Sequence, residues 1–122
     1  MKTSEQEFFE QIDKIKKSNT TIIVEGKKDK IALQNFGIND IITLNKKPLF
    51  EVVENISSRN RECIILTDLD KTGKQLYGKL NHGLQQFGVK IDDSFRNFLY
   101  KKTKLDQIEG LATYIEKIQN QG

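Results

Sequence analysis

The sequence has 122 residues, of which 36% are hydrophobic and 30% charged, so it has room for one ordinary domain but not two. Its 20 Lys and Arg residues against 17 Asp and Glu give a net charge of +3, a mildly basic balance that alone is weak evidence for nucleic acid. One Cys and one His exclude zinc-finger and zinc-hydrolase sites, so any metal site must use oxygen ligands.

Helical and strand-like patterns alternate along the chain. Ser4 and Glu7 have the form of a capping box at the start of an amphipathic helix. Continuous apolar, β-branched runs are typical of parallel strands buried on both faces. The predicted strands are residues 20–25, 38–44, 62–68 and 89–91. The predicted helices are residues 4–17, 29–36, 48–56 and 73–87, one that starts near residue 94, and 108–119.

This order of elements predicts the α/β fold class: a single, Rossmann-like domain over residues 1–122. We expect a mostly parallel, four-stranded sheet flanked by helices. The core spans about residues 20–91, with extra helical segments at 4–17 and 94–119.

Acidic residues follow two of the predicted strands. Glu25 comes after the first strand, and Asp68 and Asp70 come at the end of the third. The carboxyl ends of parallel strands meet at one edge, where open α/β sheets usually build their sites. Strand side chains two positions apart point the same way, so Asp68 and Asp70 can converge on one cation. Because gathered carboxylates repel each other, the sequence predicts Mg²⁺ or Mn²⁺ at this edge, with Glu25 close enough to be a further ligand.

The residues around these carboxylates suit phosphate chemistry. Glu25, on a separate strand, would be free to act as a general acid or base. Gly26 and Gly73 would let the backbone approach a phosphate at the start of a helix. Six lysines lie in turns or first helical positions at the same edge: Lys27, Lys28, Lys46, Lys47, Lys71 and Lys74.

A plainer interpretation is available for the aspartates and the lysines. Asp68 and Asp70 could simply end a strand and cap a helix, and Asp29 is best interpreted as the cap of its own helix. Each lysine taken singly is as compatible with a solvated surface as with a phosphate contact.

The two acidic motifs resemble those of the Toprim domain family. Glu25-Gly26-x-x-Asp29 follows one strand, and about forty residues later Thr67-Asp68-x-Asp70-x-x-Gly73 ends another. The chain is similar over about residues 20–91 to small standalone archaeal Toprim proteins and to the Toprim domains of primase and the 5S ribosomal RNA maturase. The resemblance implies an acid–base role for Glu25, and Mg²⁺ or Mn²⁺ binding by Asp68 and Asp70.

Two differences separate this chain from the topoisomerases of the family. Topoisomerases carry a further acidic residue after the Asp pair, where this chain has Lys71-Thr72. It also lacks a tyrosine-bearing strand-passage domain. The primase and maturase branches are therefore closer than the topoisomerases.

The sequence accordingly predicts a metal-dependent nuclease or RNA-processing factor that acts on RNA or DNA. One alternative is a non-catalytic module that binds metal and nucleic acid within a larger replication or RNA-processing complex. Another is a phosphatase or nucleotide-binding enzyme on a similar sheet. No apolar run reaches the roughly 18 residues of a membrane span, and the first residues lack a secretory pattern, so we expect a cytoplasmic protein with no membrane partner.

Overall fold

The computed structural model describes residues 2–18 and 20–102, which form five helices and four strands. In chain order these are α1 (Ser4–Lys17), β1 (Thr21–Val24), α2 (Lys27–Gln34), β2 (Ile41–Thr43), α3 (Leu49–Ser57), β3 (Glu62–Leu66), α4 (Lys71–Gln86), β4 (Lys90–Ile91) and α5 (Ser94–Lys102). None of these helices is long and apolar enough to cross a lipid bilayer. The helix predicted over 108–119 lies outside the described residues.

The four strands form one parallel sheet in the order β2-β1-β3-β4. In the register, Ile22 lies between Ile41 of β2 and Ile64 of β3. This arrangement confirms the predicted α/β domain with a four-stranded sheet flanked by helices. Because the strands run the same way, the turns that follow β1, β2 and β3 share one edge.

The two faces of the sheet bury alternate side chains of the same strands. Ile22 packs in a cluster with Phe8 of α1 and Phe95 of α5. Ile23 packs on the opposite face with Leu80 of α4 and with residues of α3. All of these side chains are fully buried or nearly so. Burial on both faces explains why residues 22–24 of β1 and 63–66 of β3 are continuously apolar rather than alternating.

Several boundaries differ from the predicted ones because local hydrogen bonds decide them. The capping box of α1 uses Thr3 and Gln6, one residue before the predicted pair: the Thr3 hydroxyl accepts from Gln6 N at 3.1 Å, and the Gln6 side chain accepts from Thr3 N at 2.9 Å. The third strand ends at Leu66, and α4 begins at Lys71 rather than at residue 73, because Asp70 caps it. The second strand is shorter than predicted, Ile41–Thr43.

Candidate active site

The side chain of Glu25 joins the ends of the two central strands. Glu25 directly follows β1, and its Oε2 accepts a hydrogen bond of 2.7 Å from the backbone N–H of Asp68, beyond the end of the neighbouring β3. Both side chains are partly buried. The structure thus brings together two of the three acidic residues that were singled out from the sequence.

The surroundings of Glu25 favour its protonated form. Partial burial is the main reason that the pKa of Glu25 is raised above 4.5, and the negative charges of Asp68 and Asp70 raise it further. The hydrogen bond from the Asp68 N–H acts in the opposite direction but does not cancel the effect. A carboxyl group with a raised pKa is suited to hold or release a proton closer to neutral pH.

In metal-free buffer at neutral pH, Glu25→Gln is expected to raise the free energy of unfolding. The pKa of Glu25 is raised in the folded state. The contribution of this shift to stability is therefore fully present at pH values below the unfolded pKa. It is lost as the pH rises through the folded pKa. Glutamine has no charge and can still accept the Asp68 N–H. Urea denaturation should show that the variant has a higher free energy of unfolding than wild type at neutral pH. The difference between the two proteins should be smaller below pH 4.5. If the difference is the same at both pH values, the charge of the partly buried Glu25 carboxylate is not its cause.

The side chain of Asp70 caps α4. Its Oδ1 accepts from Gly73 N at 2.7 Å, while the residue itself is exposed. Since β3 ends at Leu66, Asp68 and Asp70 lie in the turn after the strand, so the alternation of strand side chains does not govern their directions. Among the residues that the structure describes, no three His, Cys, Asp or Glu side chains are grouped to hold a metal ion. The charge of Asp70 nevertheless acts on Glu25.

Gly73 is required by a close approach of two backbone segments. A Cβ at this position would lie 2.0 Å from the carbonyl oxygen of Asp68. The Thr67 hydroxyl donates to the carbonyl oxygen of Gly73 at 2.7 Å, which ties the end of β3 to the first turn of α4. Gly73 therefore fixes the turn that carries Asp68.

Gly26 has a different role. It is the N-cap residue of α2, and its N–H donates to Oδ2 of Asp29 at 3.0 Å. Asp29 thus has a capping role, but as the third residue of a helix that begins at Lys27, two residues before the predicted start. A Cβ at Gly26 would meet nothing closer than 3.9 Å, so a side chain could be accommodated on this fold.

The six lysines singled out from the sequence are all exposed and belong to turns or helix starts at this edge. Lys27 and Lys28 open α2, while Lys71 and Lys74 lie in the first turn of α4. The turn that contains Lys46 and Lys47 is held beside β1 by the bond from Asn45 N to the carbonyl oxygen of Glu25, 3.2 Å. Positive charge therefore surrounds the acidic turns.

Comparison with known proteins places the chain in a family. It is 42% identical over 101 residues to a UPF0292 protein of Pyrococcus abyssi, and the aligned region covers 82% of this chain and 75% of that protein. This chain belongs to the UPF0292 family. A UPF0292 protein of Methanosarcina acetivorans is 33% identical over 118 residues, 94% of this chain and 82% of that protein. No family model matches the sequence.

A solved structure supports the fold of this UPF0292 chain. A protein from Aquifex aeolicus superposes with a TM-score of 0.75 at 38% sequence identity. The match covers 83% of this chain and 94% of that one. The α/β architecture is thus shared with an independently solved relative.

An arginine behind the acidic turn was not predicted from the sequence. Arg96 of α5 is buried, and its Nη1 donates to the carbonyl oxygens of Thr67, at 2.5 Å, and Ile65, at 3.3 Å. Its guanidinium lies 4.5 Å from the ring centroid of Tyr77 and 5.0 Å from that of Tyr100. The spacing of four residues between Arg96 and Tyr100 puts them on one helix face, and this was the signal available in the sequence.

The two tyrosines keep their protons and act as hydrogen-bond donors. Burial raises the pKa of Tyr100, and the charges of Asp68, Asp29 and Glu25 raise it further. The Tyr100 hydroxyl donates to the Thr67 carbonyl oxygen at 2.8 Å. Burial and a 2.6 Å hydrogen bond to Asp93 raise the pKa of Tyr77 to about 12.

Proposed function

We propose that this UPF0292 chain is a cytoplasmic, Mg²⁺- or Mn²⁺-dependent enzyme of the Toprim type that cleaves or processes nucleic acid. The observation that carries the proposal is the bond between Glu25 and the Asp68 N–H, 2.7 Å, within an acidic site at the carboxyl edge of a parallel sheet. The raised pKa of Glu25, the order of the two acidic motifs and the lysines around them all support it.

The donor atoms at the site fit a hard divalent cation. Asp68 and Asp70 offer carboxylate oxygens, and the repulsion that Glu25 experiences from both is what a cation would relieve. Mg²⁺ usually takes one or two protein carboxylates and completes its shell with water and phosphate oxygens, so three converging carboxylates are not required. Asp68 and Asp70 would hold the cation, with Glu25 beside them. When bound, it would neutralise charge that develops on the phosphate oxygens.

Glu25 is assigned the proton transfer. In hydrolysis of a phosphodiester, a water oxygen forms the new bond to phosphorus, and one ester P–O bond breaks. As a carboxylate, Glu25 would accept a proton from that water; as a carboxylic acid, it would give one to the leaving oxygen. The Asp68 N–H orients the carboxyl group for either task.

The lysines would bind the phosphates on either side of the reacting one. Lys27, Lys28, Lys71 and Lys74 begin helices, whose N-termini also favour anions. Lys46 and Lys47 extend the positive surface across the end of β2. The expected substrate is therefore a polymer with several phosphates rather than a small ester.

Cleavage assays test the proposal. Purified protein is incubated with structured RNA, with single-stranded DNA and with double-stranded DNA, each in Mg²⁺, in Mn²⁺ and in EDTA. Metal-dependent cleavage of any of these polymers is the expected result, and cleavage of none contradicts it. Salt-sensitive binding without turnover would select the non-catalytic module of a larger complex. Hydrolysis of small phosphate esters alone would select a phosphatase.

Lys47→Glu is expected to weaken nucleic-acid binding and to flatten its salt dependence. A lysine that contacts a phosphate contributes about 0.7–0.9 to the slope of log affinity against log salt. Fluorescence anisotropy over a range of salt concentrations measures both quantities. Lys90→Glu is the matched control, because Lys90 is also exposed but pairs with Glu62 in the sheet register. Glu62 is the first residue of β3, whereas the acidic site follows the last residue of that strand. Equal effects at the two positions would contradict binding at the proposed edge.

A further inference from the structure

The guanidinium of Arg96 is an unusual group to find beneath a sheet edge. Arg96 is only 7% exposed, and its guanidinium contacts two aromatic rings and two backbone carbonyl oxygens. Removing a cation from water is costly unless strong hydrogen bonds and ring faces compensate it. The carbonyl oxygens that compensate it belong to Ile65 and Thr67, at the end of β3 just before Asp68.

Two donors of α5 converge on a single carbonyl oxygen. The Thr67 oxygen accepts from Arg96 Nη1 at 2.5 Å and from the Tyr100 hydroxyl at 2.8 Å. The bond from Arg96 is charge-assisted and therefore stronger than one between neutral groups. The Thr67 hydroxyl is also engaged, because it donates to the Gly73 carbonyl oxygen. Thr67 is fully buried, so these bonds hold it from the interior.

The carbonyl group of Thr67 and the N–H of Asp68 belong to the same peptide unit. In a planar trans peptide, these two groups point in opposite directions. The peptide is therefore bound at both ends: Arg96 and Tyr100 hold its oxygen, and Glu25 accepts from its N–H at 2.7 Å. A rotation of this plane would break all three bonds together.

We infer that Arg96 and Tyr100 are positioning residues that fix the 67–68 peptide plane, so that the Asp68 N–H points at the Glu25 carboxylate and orients it. Neither residue is a catalytic residue in this role, since both act through the backbone of Thr67. The benefit to catalysis rests on the proposed function, whereas the orientation of the peptide is a property of the protein itself.

Tyr100→Phe is the most direct test, because it removes one donor to the Thr67 oxygen without changing charge. Tyr77→Phe is its matched control: it also loses one hydroxyl beside Arg96, but that hydroxyl binds Asp93 and not the turn. In metal-free protein, the hydrogen-exchange rate of the Asp68 amide should rise about tenfold or more in Tyr100→Phe and remain near wild type in Tyr77→Phe. Arg96→Met should raise the rate as well.

The second measurement is the affinity for Mn²⁺, titrated without substrate. Residues that orient a metal site through its ligands typically change affinity by about 10–100-fold, and Tyr100→Phe is expected to reach this range. Unfolding in urea, measured for both tyrosine variants, separates this effect from a general loss of stability. Unchanged exchange at Asp68 in Tyr100→Phe, or an equal increase in Tyr77→Phe, would overturn the inference.

The two proposals fail in different ways. If wild-type protein binds no Mn²⁺ and cuts no nucleic acid, the proposed function is contradicted. The exchange rate of the Asp68 amide still decides the positioning role in that case, because it is measured without metal or substrate.

Discussion

Glu25→Gln is expected to lower metal-dependent cleavage by about 10²–10⁴-fold, the usual contribution of a general acid or base. Glutamine has nearly the same shape and can still accept the Asp68 N–H, so the turn should stay in place. What is lost is the capacity to accept or release a proton. The measurement is kcat with saturating substrate and metal, together with KM, which should change little because Glu25 is not expected to bind the substrate's phosphates.

Two companion variants make this result interpretable. Asp68→Asn should also lower cleavage, but it should in addition raise the Mg²⁺ concentration needed for half-maximal activity, since it weakens a metal ligand. Glu54→Gln is the control, because Glu54 is an exposed carboxylate on α3 and is not among the residues of the acidic site. Glu25→Gln activity close to that of Glu54→Gln would contradict the acid–base role.

Gly73→Ala is expected to lower the free energy of unfolding by about 1–3 kcal/mol or more, the range for overpacking at a tight site. The new Cβ would lie 2.0 Å from the Asp68 carbonyl oxygen, 2.6 Å from its carbonyl carbon and 2.8 Å from its nitrogen. These are backbone atoms and cannot move aside as a flexible side chain would. The turn that carries Asp68 must shift, so metal affinity should fall along with stability.

Gly78→Ala supplies the opposite expectation within the same helix. Gly78 lies in α4 away from the tight turn, and a Cβ there would have no atom within 4 Å apart from its chain neighbours and the adjacent helix backbone. Alanine is the better helix former, so this variant should be more stable than wild type by about 0.5–1 kcal/mol. Urea denaturation of both variants measures the difference. Equal effects on stability at the two glycines would contradict the steric role assigned to Gly73.

The sheet was predictable because its strands are buried on both faces. A continuous apolar run such as residues 63–66 has few other structures available in a small domain, and the helices between the runs favour parallel pairing. The ends of elements were less predictable. Whether the strand ends at Leu66 or at Asp68 depends on which backbone groups the Asp70 and Thr67 side chains bind, and residue order does not determine that choice.

The acidic site was predictable as a location but not as a geometry. Strand ends that carry Glu25 and Asp68 had to meet, because β1 and β3 are parallel neighbours. Arg96 was missed because its partners are backbone carbonyl oxygens about thirty residues earlier in the chain. Every residue has a carbonyl oxygen, so the sequence does not indicate which ones a side chain will bind. Gly73 was singled out because it would let the backbone approach a phosphate, whereas the contact that the structure shows is with the Asp68 backbone.

The most direct test of the metal site is a crystal soaked in Mn²⁺ and measured for anomalous scattering. A Mn²⁺ peak should lie in coordination distance of an Asp68 carboxylate oxygen, on the Asp70 side of the turn and near Glu25. Crystals of Asp68→Asn, soaked in the same way, should lose that peak. A wild-type crystal at saturating Mn²⁺ with no peak at Asp68, or with its peak elsewhere on the protein, would contradict a metal site at this turn.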